Sequence, residues 1–458
     1  MIKKKIYYLF FITVTVGLPS YAEIASVRQY KQEDNWITVF VHGIMSIKPH
    51  LTVGNFYRFM NDKVINTPYA KEAEYIRLDP YFQMTQAMQE LGLHEINIEQ
   101  YPIKNASQAA GSIFDKVSQK YYPSRKNRYY TFGWSGLLSP TQRYHDAHEL
   151  FLALENLIQT VEYEHGYRPK IRLIGYSHGG NVILNLAAIK RDYYRSSVLT
   201  VDELVLIGVP LVTETDFLVT DSMFKKTYHI FSEQDRIQRI DFFSFNRLFS
   251  RKKFTGRKGF SLPDNLIQIN IKLMKPTESK RASKKHIQTL RHDLSNPSII
   301  SGNHPLLRNV SAGHIELWFF GWTPQHYRPH FVLAPLPVMV FVPYIIHSIE
   351  HMAPYINNQK IVTLDIRPKD NLTLVKQKGK KAWHHAIPFF NPQELATLNA
   401  IAESVRPELY TNDLFNEHIK QACKKANEYY NKHIKPFNNY KIVPSIDIRL
   451  RKRRTIKE

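Results

Sequence analysis

The stretch Leu173-Ile-Gly-Tyr-Ser-His-Gly-Gly-Asn-Val-Ile-Leu184 decides the reading of this chain. Its start is strand-like and its end has amphipathic helical spacing. Between them, Gly175-Tyr-Ser177-His-Gly179 carries the pattern G-x-S-x-G. A serine so placed occupies a sharp, strained turn from strand into helix. The flanking glycines remove side chains that would collide where the two elements nearly touch. Gly180 adds room for the helix to pack. The turn lifts the Ser177 hydroxyl above the sheet edge, and the N-terminus of the next helix aims backbone N–H groups at a developing oxyanion. With 18 glycines in 458 residues, chance seldom places this pattern between a strand and a helix. The plainer alternative is a glycine-rich turn that only packs. Gly133-Trp-Ser135-Gly136 lacks both the pattern and a following helix, so Ser135 reads as a loop residue.

Outward from this turn, short apolar runs alternate with amphipathic stretches from about Trp36 to Leu273. Ile37–Val41 is β-branched and almost wholly apolar, as a strand buried on both faces should be. Tyr129–Gly133, Lys170–Gly175, Glu203–Val209, Tyr228–Phe231 and Ile267–Leu273 read as further strands, and Pro140 to Glu164 as a long helix. This order implies an α/β fold: a mostly parallel sheet with helices on both faces. Right-handed crossovers then bring the C-terminal ends of the parallel strands to one edge, where reactive groups should gather. Phe331–Ile346 is apolar but holds Pro335, Pro337 and Pro343, too many for a membrane span. It is expected to be a buried irregular segment, a pocket wall or a lid. Beyond it, Val362–Ile366 and Leu372–Val375 read as a hairpin, followed by helices over 393–405 and 412–434.

The chain opens with Lys3, Lys4 and Lys5, an apolar run from Ile6 to Leu18, and small residues at Ser20 and Ala22. These are the three parts of a secretory signal peptide, and the run is short for a permanent anchor. The expected layout is a signal peptide over 1–22, an α/β domain over 23–360 and a small α+β extension over 361–458. Export would place the mature chain in a periplasm, an envelope or outside the cell. The single cysteine, Cys423, excludes an internal disulfide and any multi-cysteine metal site. There are 62 Lys and Arg against 40 Asp and Glu, a formal net charge of +22. Residues 247–291 hold 13 basic side chains against two acidic ones, and the last ten residues hold six against one. The charge therefore lies in a basic insertion and a tail, which could dock the protein on an anionic membrane or envelope surface; solvated loops are the alternative. Export argues against a nucleic-acid partner.

The strand–turn–helix around Ser177 resembles that of α/β-hydrolases of the lipase and esterase type, over roughly Trp36 to Phe320. Val41-His42-Gly43-Ile44 ends the first buried strand, where that family carries an HG motif supplying one oxyanion donor. The resemblance implies that the backbone N–H groups of Ile44 and His178 form the oxyanion hole. A serine hydroxyl needs a histidine to take its proton and a carboxylate to fix that histidine's tautomer, in the chain order Ser, Asp or Glu, His. The resemblance favours Asp235, in the polar turn after Tyr228–Phe231, with Asp216 and Glu233 as alternatives. It favours His314, in Ser-Ala-Gly313-His314-Ile-Glu-Leu-Trp318, with His304, His326 and His330 as alternatives. His178 is set aside as base because its side chain should point away from Ser177.

Other constellations carry less. His145 and His148 stand at i and i+3 near a helix start, without a third ligand, and His384-His385 has no clear reading. No metal and no cofactor is expected. The implied activity is hydrolysis of carboxylic esters, including lipids, through an acyl-enzyme. Amide or thioester hydrolysis, acyl transfer, and an inactive hydrolase fold that binds anionic lipid or envelope polymer remain alternatives.

Overall fold

The computed structural model describes residues 34–45, 62–233, 235, 250–274, 309–310, 312–323, 331–353, 360–368, 371–380 and 383–436. The expected signal segment 1–22, the basic tail 449–458, and His304, His326 and His330 lie outside the described residues. In chain order the main elements are β1 (Asp34–Val41), α1 (Pro68–Leu78), β2 (Gly92–Ile96), α2 (Ala106–Tyr121), β3 (Arg125–Gly133) and α3 (Pro140–His165). Then come β4 (Lys170–Tyr176), α4 (His178–Tyr193), β5 (Glu203–Ile207), β6 (Thr227–Phe231), β7 (Leu266–Met274) and β8 (Asn309–Val310). The chain continues through α5 (Val342–Met352), β9 (Ile361–Arg367), β10 (Leu372–Gln377), β11 (His384–His385), α6 (Pro392–Glu403) and α7 (Asn412–Tyr429).

Among the described residues, eleven strands form one sheet in the order β11-β10-β9-β7-β6-β5-β4-β1-β3-β2, with β8 beside β7. The run from β3 through β1, β4, β5, β6 and β7 to β9 is parallel throughout, and the remaining pairs are antiparallel. The fold is therefore α/β with a mostly parallel sheet, as the sequence predicts. From β1 the chain moves to β3 on one side and then crosses back to β4 on the other. In sheets of this kind, functional groups gather at the carboxyl ends of the strands beside such a reversal of strand order.

Strand periodicity divides the apolar side chains between two cores. Ile37, Val39, Val41, Ile171 and Leu173 enter one core with α3 and α4; Phe40, Ile174 and Tyr176 enter the other with α2, α5 and α6. Burying side chains of this size stabilises by roughly 1.5–3 kcal/mol each. Local signals start the helices: Asn105 and Ser139 cap α2 and α3 with their side-chain oxygens, and Asn391 with Glu394 forms a capping box on α6.

Three expectations change. Residues Leu336–Ile346 are all buried, and a 3₁₀ turn at Val338–Phe341 runs directly into α5. Pro343 lies in that helix's first turn, where its missing N–H breaks no helical bond. This segment is packed core rather than an irregular lid. The expected basic insertion is in part sheet: its Leu266–Met274 forms β7, the strand read at Ile267–Leu273 and the parallel neighbour of β6 and β9. The boundary expected at 360 falls within the same sheet, which β9, β10 and β11 prolong. Among the described residues, no helix is long and apolar enough to cross a membrane.

Candidate active site

Ser177 sits between β4 and α4 at φ 50° and ψ −132°, a backbone conformation that side-chain-bearing residues avoid. Such a residue costs about 1–3 kcal/mol and persists only where its surroundings hold it. Here its N–H donates to the Ile207 carbonyl at 3.0 Å, and its own carbonyl accepts from the Gly180 N–H at 3.0 Å. The three neighbouring glycines are sites of close approach. A Cβ on Gly175 would stand 2.7 Å from the Gly180 Cα, and one on Gly179 2.2 Å from the His42 carbonyl oxygen. A Cβ on Gly180 would meet Val209 at 2.3 Å. The motif glycines thus let α4 rise against the ends of β1 and β5.

Three residues from three strand ends meet at this turn. His314 Nε2 lies 3.1 Å from Ser177 Oγ, and His314 Nδ1 lies 2.7 Å from Asp235 Oδ2. Ser177, Asp235 and His314 are all buried. The Asp235 carboxylate accepts from Nδ1–H, which leaves the Nε2 lone pair facing the serine O–H. Tyr176 joins His314 to β4, because its hydroxyl donates to the His314 carbonyl at 2.9 Å. Its ring also stacks on Trp318. Burial, reinforced by the negative charge of Asp235 and Glu316, raises the Tyr176 hydroxyl well above its ordinary pKa and keeps it a neutral donor.

The loop after β1 abuts the same turn: a Cβ on Gly43 would lie 3.1 Å from the Ser177 Cβ. His42 shapes this loop. Its Nε2 accepts from the Trp134 N–H at 3.3 Å, so Nδ1 carries the proton and donates to the Gly43 carbonyl at 2.7 Å. Burial, partly offset by that bond, lowers the His42 pKa to about 3, so the ring is neutral. Because a trans peptide is planar, turning the Gly43 carbonyl toward His42 turns the Ile44 N–H the opposite way. Trp134 adds an indole N–H to the His42 carbonyl at 2.7 Å, and the Met45 N–H donates to the Gly136 carbonyl at 3.1 Å. His178 opens α4, where a backbone N–H has no intrahelical acceptor. Burial, with Arg143 and His314 nearby, lowers the pKa of its side chain well below the ordinary value, so that ring is also neutral.

The structure separates the remaining candidates. Asp216 is fully buried and pairs with Arg251 and Arg257. Glu233 pairs with Lys253 at 2.6 Å. Ser135 donates to Asp146 at 2.6 Å, and His148 Nε2 lies 2.7 Å from the Tyr194 hydroxyl.

Sequence reading missed several residues that shape the site. Gly208, just past β5, has φ +60°, and a Cβ there would stand 3.3 Å from both Asp235 Oδ2 and His314 Nδ1. Its signal was a glycine at a strand end. Tyr176 occupied a variable position of the motif, and Trp134 a loop. The assembled groups can activate a hydroxyl, hold an anion on backbone donors, and pass a proton between two oxygens. The chain matches no model of a known protein family, and no curated protein matches it.

Proposed function

We propose that this chain is a serine hydrolase with an α/β-hydrolase fold that cleaves carboxylic esters, as lipases and esterases do. The observation that carries the proposal is the hydrogen-bonded line from Ser177 Oγ through both nitrogens of His314 to Asp235. The order of the parts along the chain supports it: oxyanion loop after β1, nucleophile after β4, acid after β6, base after β8.

In this reading, Ser177 Oγ attacks the ester carbonyl carbon while His314 Nε2 takes the hydroxyl proton. The carbonyl oxygen becomes an oxyanion that accepts from the N–H groups of Ile44 and His178, each worth about 3–4 kcal/mol of barrier. Asp235 stabilises the imidazolium through Nδ1–H without itself taking the proton. As the tetrahedral species collapses, Nε2–H gives its proton to the leaving alcohol, and a water then releases the acyl group by the same steps. The N-terminal segment supports action outside the cytoplasm, which cell fractionation tests.

The test is turnover by the purified chain of p-nitrophenyl esters of increasing acyl length, beside matched thioester and anilide substrates. Ester turnover that disappears in Ser177→Ala supports the reading. Turnover of the anilide or thioester alone would assign a different acyl chemistry, and ester turnover unchanged by Ser177→Ala would refute the mechanism.

A further inference from the structure

The basic run Arg251-Lys-Lys253 contributes to the chain's positive charge, yet each of its side chains meets an acceptor of the chain itself. Arg251 pairs with Asp216, and Lys253 with Glu233. Lys252, between them, is buried, an unusual place for an ammonium group unless it is paired. Its Nζ donates to the backbone carbonyl of Glu233 at 2.8 Å and to that of Ser232 at 3.2 Å. The Ser232 carbonyl also accepts the N–H of Asp235, at 3.1 Å, closing the turn that presents the carboxylate. Lysine and aspartate are thus tied to one carbonyl oxygen.

The segment that carries Lys252 is fixed on both sides. Arg251 exchanges two backbone hydrogen bonds with Leu211, in the loop after β5, at 2.9 and 3.0 Å. Phe254 exchanges two with the side chain of Gln268 on β7, at 2.7 and 3.0 Å. A cation on this platform can orient two carbonyls at once, because charge-assisted hydrogen bonds are stronger than neutral ones.

We propose that Lys252 is a positioning residue for the triad acid: its ammonium fixes the Ser232–Asp235 turn so that Oδ2 meets His314 Nδ1. The assignment rests on the hydrolase reading of the site. It gives part of the basic stretch an internal role in place of a surface-docking one.

The test uses the full chain and ester turnover. Lys252→Met keeps the aliphatic stem and removes the donors. Its kcat should fall about 10- to 100-fold with KM within about two-fold, since a small displacement of a catalytic group costs rate rather than binding. Lys252→Arg should recover most of the loss. In an Asp235→Asn background, Lys252→Met should cost no further kcat, because residues that act through one another are not additive. A purely structural residue would instead lose kcat equally in both backgrounds. If the wild type neither turns over esters nor reacts at Ser177, the hydrolase reading itself fails. If the wild type is active and Lys252→Met keeps its kcat, or loses it additively, only the assignment of Lys252 is overturned. Lys252→Gln replaces Lys252→Met where the latter does not fold. Failure of both to fold, beside a fully active Lys252→Arg, would make Lys252 a stability element and also overturn the assignment.

Discussion

Gly208→Ala tests how tightly Asp235 and His314, the proposed acid and base, are seated. At φ +60°, a side-chain-bearing residue costs about 1–2 kcal/mol relative to glycine. The added methyl also meets Leu317 Cδ1 at 3.0 Å, and Asp235 Oδ2 and His314 Nδ1 at 3.3 Å each. It therefore presses on both atoms of the bond that orients the base, and these must shift by a few tenths of an ångström. Gly259 and Gly379 supply controls within the same chain. Both have positive φ, +75° and +81°, and neither has an atom within 4 Å of an added Cβ. Gly259→Ala and Gly379→Ala carry the backbone cost alone. Gly259→Ala and Gly379→Ala should lose about 1–2 kcal/mol of stability and Gly208→Ala at least as much, read from urea midpoints at unchanged m. Only Gly208→Ala should lose kcat on an ester substrate, by about 10- to 100-fold. Equal kcat across the three would refute the argument that the space at Gly208 belongs to the site.

Other outcomes follow from the same geometry. Ser177→Gly relieves the strained turn and should gain about 1 kcal/mol in urea unfolding while abolishing turnover; a destabilised variant would argue against stored strain. Asp235→Asn should cut kcat by about 10³–10⁴-fold. Asp216→Asn removes the partner of two arginines and should lower stability by roughly 2–4 kcal/mol with kcat retained; reversed effects would exchange the two acids. His229 is fully buried on β6, and burial lowers its pKa from 6.5 to about 4, against a smaller rise from its bond to Gln268. The unfolded chain takes up this proton near pH 6.5 and the folded chain only near pH 4. The contribution is thus whole above pH 6.5 and lost as pH falls toward 4, at up to about 1.4 kcal/mol per pH unit. His229→Phe should flatten the fall in urea-unfolding free energy over that window by one proton's worth, and an unchanged slope would contradict the assignment.

Much of the sheet was legible because its central strands are buried on both faces, so that β1, β4, β5, β6 and β7 read as short runs rich in Ile, Leu, Val and aromatic residues, even where Arg172, His229 or Gln268 interrupts them. The edge strand β2 was not, because Gly92-Leu-His-Glu-Ile96 is short, carries two polar residues and is mostly only partly buried. In Phe331–Ile346 the prolines concealed a helix, since a proline in the first turn and one inside a helix look alike without knowing where the helix starts. The candidate nucleophile, Ser177, stood out from its own neighbours in sequence. The choice between Asp235 and Asp216 was not, since both follow strands and their partners lie far along the chain. Lys252 was hidden for the same reason. A run of arginine and lysine reads as solvated surface, and only tertiary packing reveals carbonyls waiting for one of them.

The most direct test of the central claim is covalent. The purified chain is treated with a fluorophosphonate, and the modified residue is located by mass spectrometry. The account predicts stoichiometric modification at Ser177, slowed strongly by Asp235→Asn and absent in Ser177→Ala. Modification at another serine, or none at Ser177 in a folded protein, would contradict it.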